Sequence, residues 1–375
     1  MLNLYKPKNQ TKIGRIINLK KNRLVALVMA SVMALSLLTG CGSSSSSGSA
    51  SAGSTADYSA ENPLELRLAS DAPAEHVATG LNNDLCALVA EKTEGRVTMK
   101  YFPSSQLGSY ETVYEEMMMG SIDAAQITAP DAMDARLGIA YLPYYALSYE
   151  QAAVLFAPDS YVGQMMKDIC AGHGVRWMGF CLEGFIGMGT TKEPKNLDSA
   201  DLAADKGIKI RTASMQTLRT CWEDMGYEAI TVAYNEVPTA IQTNVVEGWV
   251  GGTPNMNYAW VGELLSHMFV NYAHAEATSY VVSQKTLDKL TDEDKALVTE
   301  AFQEISMKSF DAAEENERNF MNKLEADYGV TVVEDSMERR EQIAAFVREV
   351  TWPGLEELMG ADTIQGCRDD LAKLG

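Results

Sequence analysis

Gly207-Ile208-Lys209-Ile210-Arg211 alternates apolar and basic residues, the period-two pattern of a strand that buries Ile208 and Ile210 on one face and puts Lys209 and Arg211 on the other. The chain then reads as helix, strand, helix, strand up to Gly251. Met215, Leu218, Trp222 and Met225 fall on one helical face before the stop at Gly226, and Ala229 to Val232 is a strand. Asn235 is a candidate N-cap, and Pro238 lies in the first turn of a second helix that leads to Glu247-Gly248-Trp249. Strands alternating with helices imply an α/β fold, and Arg211 sits at a strand's carboxyl end, where open α/β sheets bind small ligands. A guanidinium there can hold a carboxylate through two parallel hydrogen bonds. An arginine so placed can equally be a solvated charge or half of a structural ion pair.

Lys209-Ile210-Arg211, then Tyr234-Asn235-Glu236-Val237-Pro238-Thr239-Ala240-Ile241-Gln242-Thr243, then Val246-Glu247-Gly248, resembles the solute-binding proteins of tripartite ATP-independent periplasmic (TRAP) transporters. Their pattern there is roughly K-[IL]-R, F-S-E-V-Y-x-A-L-Q-T and V-D-G-Q-E-N-P. A second block, Tyr101-Phe102-Pro103-Ser104-Ser105-Gln106-Leu107-Gly108, and the segment Leu142-Pro143-Tyr144-Tyr145 are similar to the same family. The resemblance covers nearly the whole chain after its tether.

It implies a two-lobe periplasmic-binding-protein-like α/β fold with a long helix spanning both lobes, lobe I being 63–188 plus 277–318 and lobe II 189–276 plus 319–375. It further implies a receptor rather than an enzyme, needing no cofactor. Such a receptor closes on a small organic acid and delivers it to membrane permease subunits driven by an ion gradient. Arg211 matches the family's carboxylate-holding arginine, and Tyr234 the aromatic that closes over the ligand. The family's asparagine falls on Gly251, with Trp249 in place of glutamine, and a second arginine common in the family falls on Gly189. Asp131 and Thr128 stand where sialic-acid-binding members carry arginine and glutamate. One clamp in place of several favours a monocarboxylate. Asp71, Tyr145, Phe185, Trp249 and Asp131 complete the candidate ligand-binding set, and their aromatic and acidic character suits an apolar, hydroxylated or amine-bearing body. A ligand-sensing lipoprotein of the same fold, feeding a signalling receptor, is the alternative.

Residues 1–40 hold seven of the 31 Lys and Arg and none of the 51 Asp and Glu, and contain an apolar run from Leu24 to Leu38. About fifteen residues is short for a membrane span, so 1–40 reads as an export signal, with an uncleaved anchor helix as the other reading. Leu38-Thr39-Gly40-Cys41 resembles a lipobox, with Cys41 as the lipidated residue. The segment 41–62 is then a flexible tether, nearly all Ser, Gly and Ala from Gly42 to Thr55, and the protein is held at the outer face of the cell membrane by its lipid. Without the first forty residues the chain carries 24 basic against 51 acidic side chains, a formal −27. Nucleic acid is therefore excluded as a partner.

Five further cysteines, Cys86, Cys170, Cys181, Cys221 and Cys367, show no C-x-x-C pair, and Cys86 and Cys181 are expected to be buried. His76, His173, His267 and His274 lie on separate segments as surface or satisfied core residues. Met117 to Met119 reads as core and adjoining surface rather than a metal site. No H-E-x-x-H, G-x-S-x-G or P-loop is present. Gly184, Gly187 and Gly189 are read as a flexible crossing between domains over Glu183 to Thr191. The run from Thr291 to Gly329, with no breaker, is the long helix; another helix is expected around Gln151 to Ala171, and a last one through Ile343, Phe346, Val347 and Leu355.

Overall fold

Two long strands carry the architecture of residues 57–374, which are the residues that the computed structural model describes. The export segment, Cys41 and the tether up to residue 56 lie outside the described residues. Nine described strands make one sheet: β1 (Leu64–Ser70), β2 (Val97–Phe102), β3 (Ala124–Ile127), β4 (Val175–Thr190), β5 (Lys209–Thr212), β6 (Glu228–Thr231), β7 (Gly248–Gly252), β8 (His267–Ser283) and β9 (Thr331–Glu334). Their order is β2-β1-β3-β8-β4-β7-β5-β6, with β9 also on β8. Strands β4 and β8 run antiparallel from Val175 opposite Ser283 to Thr190 opposite His267. One end of this pair receives β3, with Ala124 opposite Val282, and the other receives β7, with Thr190 opposite Gly248. Two α/β lobes thus share one sheet through two continuous strands.

The expected flexible crossing at Glu183–Thr191 is instead the second half of β4. Its glycines serve bulges and close packing. Register shifts fall between Trp177 and Gly179, Leu182 and Phe185, and Ile186 and Met188. Amides that a bulge removes from the ladder must find other acceptors. The Leu182 amide donates to Ser309 Oγ at 2.9 Å and the Phe185 amide to Glu317 Oε2 at 2.7 Å, while Ser306 Oγ donates to the Phe180 carbonyl at 2.6 Å. Gly184 (φ +129°) has no alternative, since a Cβ there would lie 2.8 Å from Glu317 Oε2.

Those acceptors belong to the expected long helix, Asp292–Tyr328, 37 residues and roughly 55 Å. Thr291 caps it by accepting from the Asp294 amide, three acids occupy its first turn, and Gly329 ends it in the left-handed conformation at φ +69°. It packs along β4 and touches helix Val77–Lys92 in the first lobe and helix Pro254–Val261 in the second.

Elsewhere the sequence reading needs four local corrections. The helix expected from Gln151 to Ala171 is two, Tyr149–Leu155 and Tyr161–Gly172, because Pro158 interrupts it and Ser160 caps the second piece. Asn235 is not an N-cap but the middle of a 3-10 turn, Tyr234–Glu236, which feeds helix Val237–Gln242; Pro238 does sit in that helix's first turn. The last helix is three, Met337–Val350, Trp352–Met359 and Ala361–Ala372, broken at Pro353 and at Gly360 (φ +94°). Cys86 is only half-buried, whereas Cys181 is buried, and the described cysteines form no disulfide. Met117 is core and Met119 surface, as expected. Among the described residues no helix is long and apolar enough to cross a membrane.

Candidate functional site

A cavity of about 670 Å³ opens where the carboxyl ends of β1, β3 and β5 meet the middle of β4 and β8. Arg211 forms one wall. It lies on β5 between Ile230 of β6 and Trp249 of β7, while Ile208 and Ile210 go to the core as the alternation predicts. Arg211 is only 3% exposed. Its Nε donates to the Val232 carbonyl at 2.9 Å and Nη1 to the Val250 carbonyl at 3.1 Å. Among the described residues these are its only hydrogen bonds, and no carboxylate pairs with it. Burial pulls its pKa down to about 10, partly opposed by the facing Tyr234, Tyr110 and Glu276, so it stays charged at neutral pH. Two neutral carbonyls fix the orientation of this cation without neutralising it, and Nη2 remains without a protein acceptor.

Of the candidate residues, Arg211, Tyr234, Gly251, Thr128 and Asp71 line the cavity. Tyr234 stands with its ring centre 5.8 Å from Arg211 Cζ and is braced by Trp260 at 4.5 Å. Gly251, at φ +123°, is the residue Arg211 needs, because a Cβ there would lie 2.7 Å from Nη1. Gly189 leaves no room for a second arginine, since its α-carbon faces Asn257 and Leu265 directly.

Four candidates lie off the cavity wall. Trp249 is wholly buried beneath it, with its indole N–H donating to Asn257 Oδ1 at 2.8 Å. Phe185 packs between Tyr149 and Tyr272, and Tyr145 against Phe156, because bulges and turns point both rings into the core. Asp131 turns its half-buried carboxylate to the Gln216 amide at the start of helix Gln216–Asp224; burial raises its pKa, and that bond opposes the rise.

The opposite wall is acidic. Glu183 on β4 accepts at Oε1 from Gln126 Nε2 (2.7 Å) and Thr278 Oγ1 (2.7 Å). Glu276 on β8 accepts from Tyr141 Oη at 2.7 Å, and that hydroxyl also meets Thr128 Oγ1 at 2.9 Å. Burial drives both carboxyls well above the usual carboxylate range, and for Glu276 repulsion from Glu183 adds to it. Asp71, whose Oδ1 accepts from Ser105 Oγ at 2.7 Å, is pushed by burial to about 6. His76 is buried with Nδ1 accepting from the Ala78 amide at 3.2 Å, so its proton is on Nε2, 3.3 Å from Glu183 Oε2 but poorly aligned with it. Burial lowers His76 to about 4 and keeps it neutral.

Sequence reasoning misses Glu183, Glu276, Gln126, Tyr141 and His76, because acids without a pattern read as solvated surface and His76 reads as satisfied. A signal is nonetheless present. Glu183 is a lone acid inside the apolar run Phe180–Ile186 and Glu276 one among the alanines of Ala273–Ala277, and an acid in a buried strand needs a reason.

A family model for the bacterial extracellular solute-binding proteins, family 7 (DctP), matches residues 68–353. The chain belongs to this family. Within it, this DctP-type protein is 26% identical over 286 residues to the C4-dicarboxylate-binding periplasmic protein DctP of Rhodobacter capsulatus, covering 74% of this chain and 82% of that one. It is 22% identical over 223 residues to the sialic acid-binding periplasmic protein SiaP of Vibrio cholerae, covering 59% and 68%. The crystal structure of the sugar acid binding protein DctPAm from Advenella mimigardefordensis, in complex with galactonate, has the same fold at a TM-score of 0.73 and 21% identity, covering 84% of this chain and 99% of that one. The protein is thus an extracytoplasmic solute-binding protein of the TRAP type, from a family of substrate receptors rather than enzymes.

Proposed function

We propose that this DctP-family protein captures a small organic acid, with one carboxylate held by Arg211, and passes it to the membrane permease of a TRAP transporter. The observation that carries this reading is a buried guanidinium fixed by two carbonyls, unpaired by any described carboxylate and open to a cavity. An arginine held that way presents its fork to an incoming carboxylate. The names of the relatives point the same way: they bind a C4-dicarboxylate, sialic acid and galactonate. A single arginine on the wall, with Gly189 where a second would stand, favours one carboxylate over two.

Closure of lobe I (63–188 plus 277–318) on lobe II (189–276 plus 319–375) is the transport signal in this reading. Contacts between them support it: the Val77 amide donates to Asn255 Oδ1 at 3.1 Å, and Asp131 meets the Gln216 amide. Lipidation at Cys41 and the 41–62 tether hold the receptor at the outer face of the cell membrane beside a permease driven by an ion gradient. A thermal-shift screen of carboxylic acids tests the proposal. A ligand at 100 times its dissociation constant adds about 2.7 kcal/mol to folded stability. The expected result is that stabilising compounds all carry a carboxylate and that their amides do not stabilise; equal stabilisation by amides would overturn it.

A further inference from the structure

The cavity carries more acid than its one arginine can answer. Asp71, Glu111, Glu183 and Glu276 all line it, against Arg211 alone, and His76 supplies no cation because burial keeps it neutral. The direction of the hydrogen bonds shows which form of the two deep acids the wall is built for. Gln126 Nε2 donates both to Glu183 Oε1 and to Thr278 Oγ1 (2.6 Å), so the Thr278 hydroxyl proton is free to point at Glu183 or at the Cys181 carbonyl (3.3 Å), and the Tyr141 hydroxyl is shared between Glu276 Oε1 and Thr128 Oγ1. Donors aimed at carboxyl oxygens suit ionised acceptors. Among the described residues neither acid's Oε2 receives a hydrogen bond, and the buried Nε2 of His76, itself without a partner, lies 3.3 Å from Glu183 Oε2. Two ionised carboxylates in one buried wall repel each other and need a cation that the described residues do not supply.

We propose that the ligand is a zwitterion, a small amino-bearing carboxylic acid, whose carboxylate pairs with Arg211 while its ammonium group is received by Glu276 and Glu183 on the opposite wall. This rests on the reading of Arg211 as the carboxylate site. An ammonium has three donors and no acceptor, which matches a wall offering free carboxylate oxygens; a hydroxyl in the same place leaves the charge unanswered. The groups facing this position are Glu183, Glu276, Asp71, Tyr141, Thr278, Gln126 and His76, and from the other wall Arg211 and Tyr234.

The test compares matched pairs on the intact protein by calorimetry: alanine with lactate, phenylalanine with phenyllactate, glutamate with 2-hydroxyglutarate, and 4-aminobutyrate with 4-hydroxybutyrate. In at least one pair the amino acid should bind ten-fold or more tighter than its hydroxy partner. Its binding near neutral pH should release protons to the buffer, as an arriving ammonium lowers the pKa values of the two acids. Glu276→Gln should cost the amino acid ten-fold or more and its hydroxy partner little. Hydroxy acids binding as well as or better than amino acids in every pair, or only galactonate or succinate binding, would overturn the zwitterion and leave Arg211 as carboxylate site. If no carboxylate-bearing compound binds, or if Arg211→Ala binds one as the wild type does, the carboxylate reading itself falls.

Discussion

The two walls of the cavity solve the problem of a buried charge in opposite ways. Arg211 is gripped by the carbonyls of Val232, just past β6, and Val250 of β7, which cannot titrate. Glu183 and Glu276 are gripped by a tyrosine, a threonine and a glutamine, and can escape their burial by taking up a proton. One wall therefore keeps a permanent charge and the other an adjustable one. Arg211 itself should contribute no pH dependence near neutrality, whereas the acids make the stability of the empty protein depend on pH.

The strongest way to break this contrast is at Arg211. Arg211→Lys keeps the charge but loses the fork and the two carbonyl anchors. Removing one partner of a buried charge pair costs about 2–5 kcal/mol, roughly 30-fold to several thousand-fold in affinity, of which lysine should recover only part. Calorimetry on folded Arg211→Lys and Arg211→Ala checks this; a loss below about 1 kcal/mol in both would mean that the guanidinium does not hold the ligand's carboxylate. Gly251→Asn comes next. It restores the family's residue, but at φ +123° and with a Cβ 2.7 Å from Nη1 it should cost about 1–3 kcal/mol in stability and weaken binding by displacing the guanidinium. Urea denaturation and calorimetry on one sample separate the two effects.

The adjustable wall predicts a pH dependence of definite sign. A carboxyl whose folded pKa is raised stabilises the protein fully below its unfolded value, about 4.3, and that contribution is lost as pH rises through the folded value. Glu276 and Glu183 act this way, as does Glu317, pushed by burial to about 7. His76 and His274, both lowered by burial to about 4, act oppositely, with stability present above about 6.5 and lost as pH falls. Above about pH 7 only the acids still count, so the melting temperature of ligand-free protein should fall from about pH 7 to 8.5. Glu276→Gln should flatten that fall by on the order of 1 kcal/mol; an unchanged slope would mean the carboxyl is ionised throughout. The smallest effect is expected from Trp249→Phe, which removes the bond to Asn257 beneath Arg211. It should cost about 1 kcal/mol of stability and leave affinity nearly unchanged, as fits a residue off the cavity wall.

The contrast also explains what is legible in the sequence. Arg211 announces itself by local pattern: an alternating strand, a charged residue at its carboxyl end and a helix stopped by Gly226, all within a short stretch of chain. Glu183 and Glu276 are brought together by the pairing of β4 with β8, elements far apart along the chain, and no local period reports that. The candidate aromatics fail for a related reason. Phe185 sits beside the cavity residue Ile186 in sequence and Tyr145 four residues after Tyr141, but a β-bulge and a left-handed turn residue, Tyr144 at φ +52°, send their rings into the core. The long helix is readable because nothing interrupts it. The continuous crossing strand is not, because its glycines have the composition of a linker while serving close contacts, Gly184 with that helix, Gly187 with Met268 of β8 and Gly189 with Asn257.

That strand has a consequence for how the chain must fold during synthesis. The first lobe's strand β3 is flanked by β1 and β8, and the bulged amides of β4 are answered only by Ser309 and Glu317. A nascent chain that ends before β8 holds most of the first lobe's sequence but lacks the partner of β3, the partner of β4 and the helix that covers them both. Vectorial folding of lobe I is therefore blocked until the last third of the protein emerges, and the high contact order of β4 with β8 makes the final step slow.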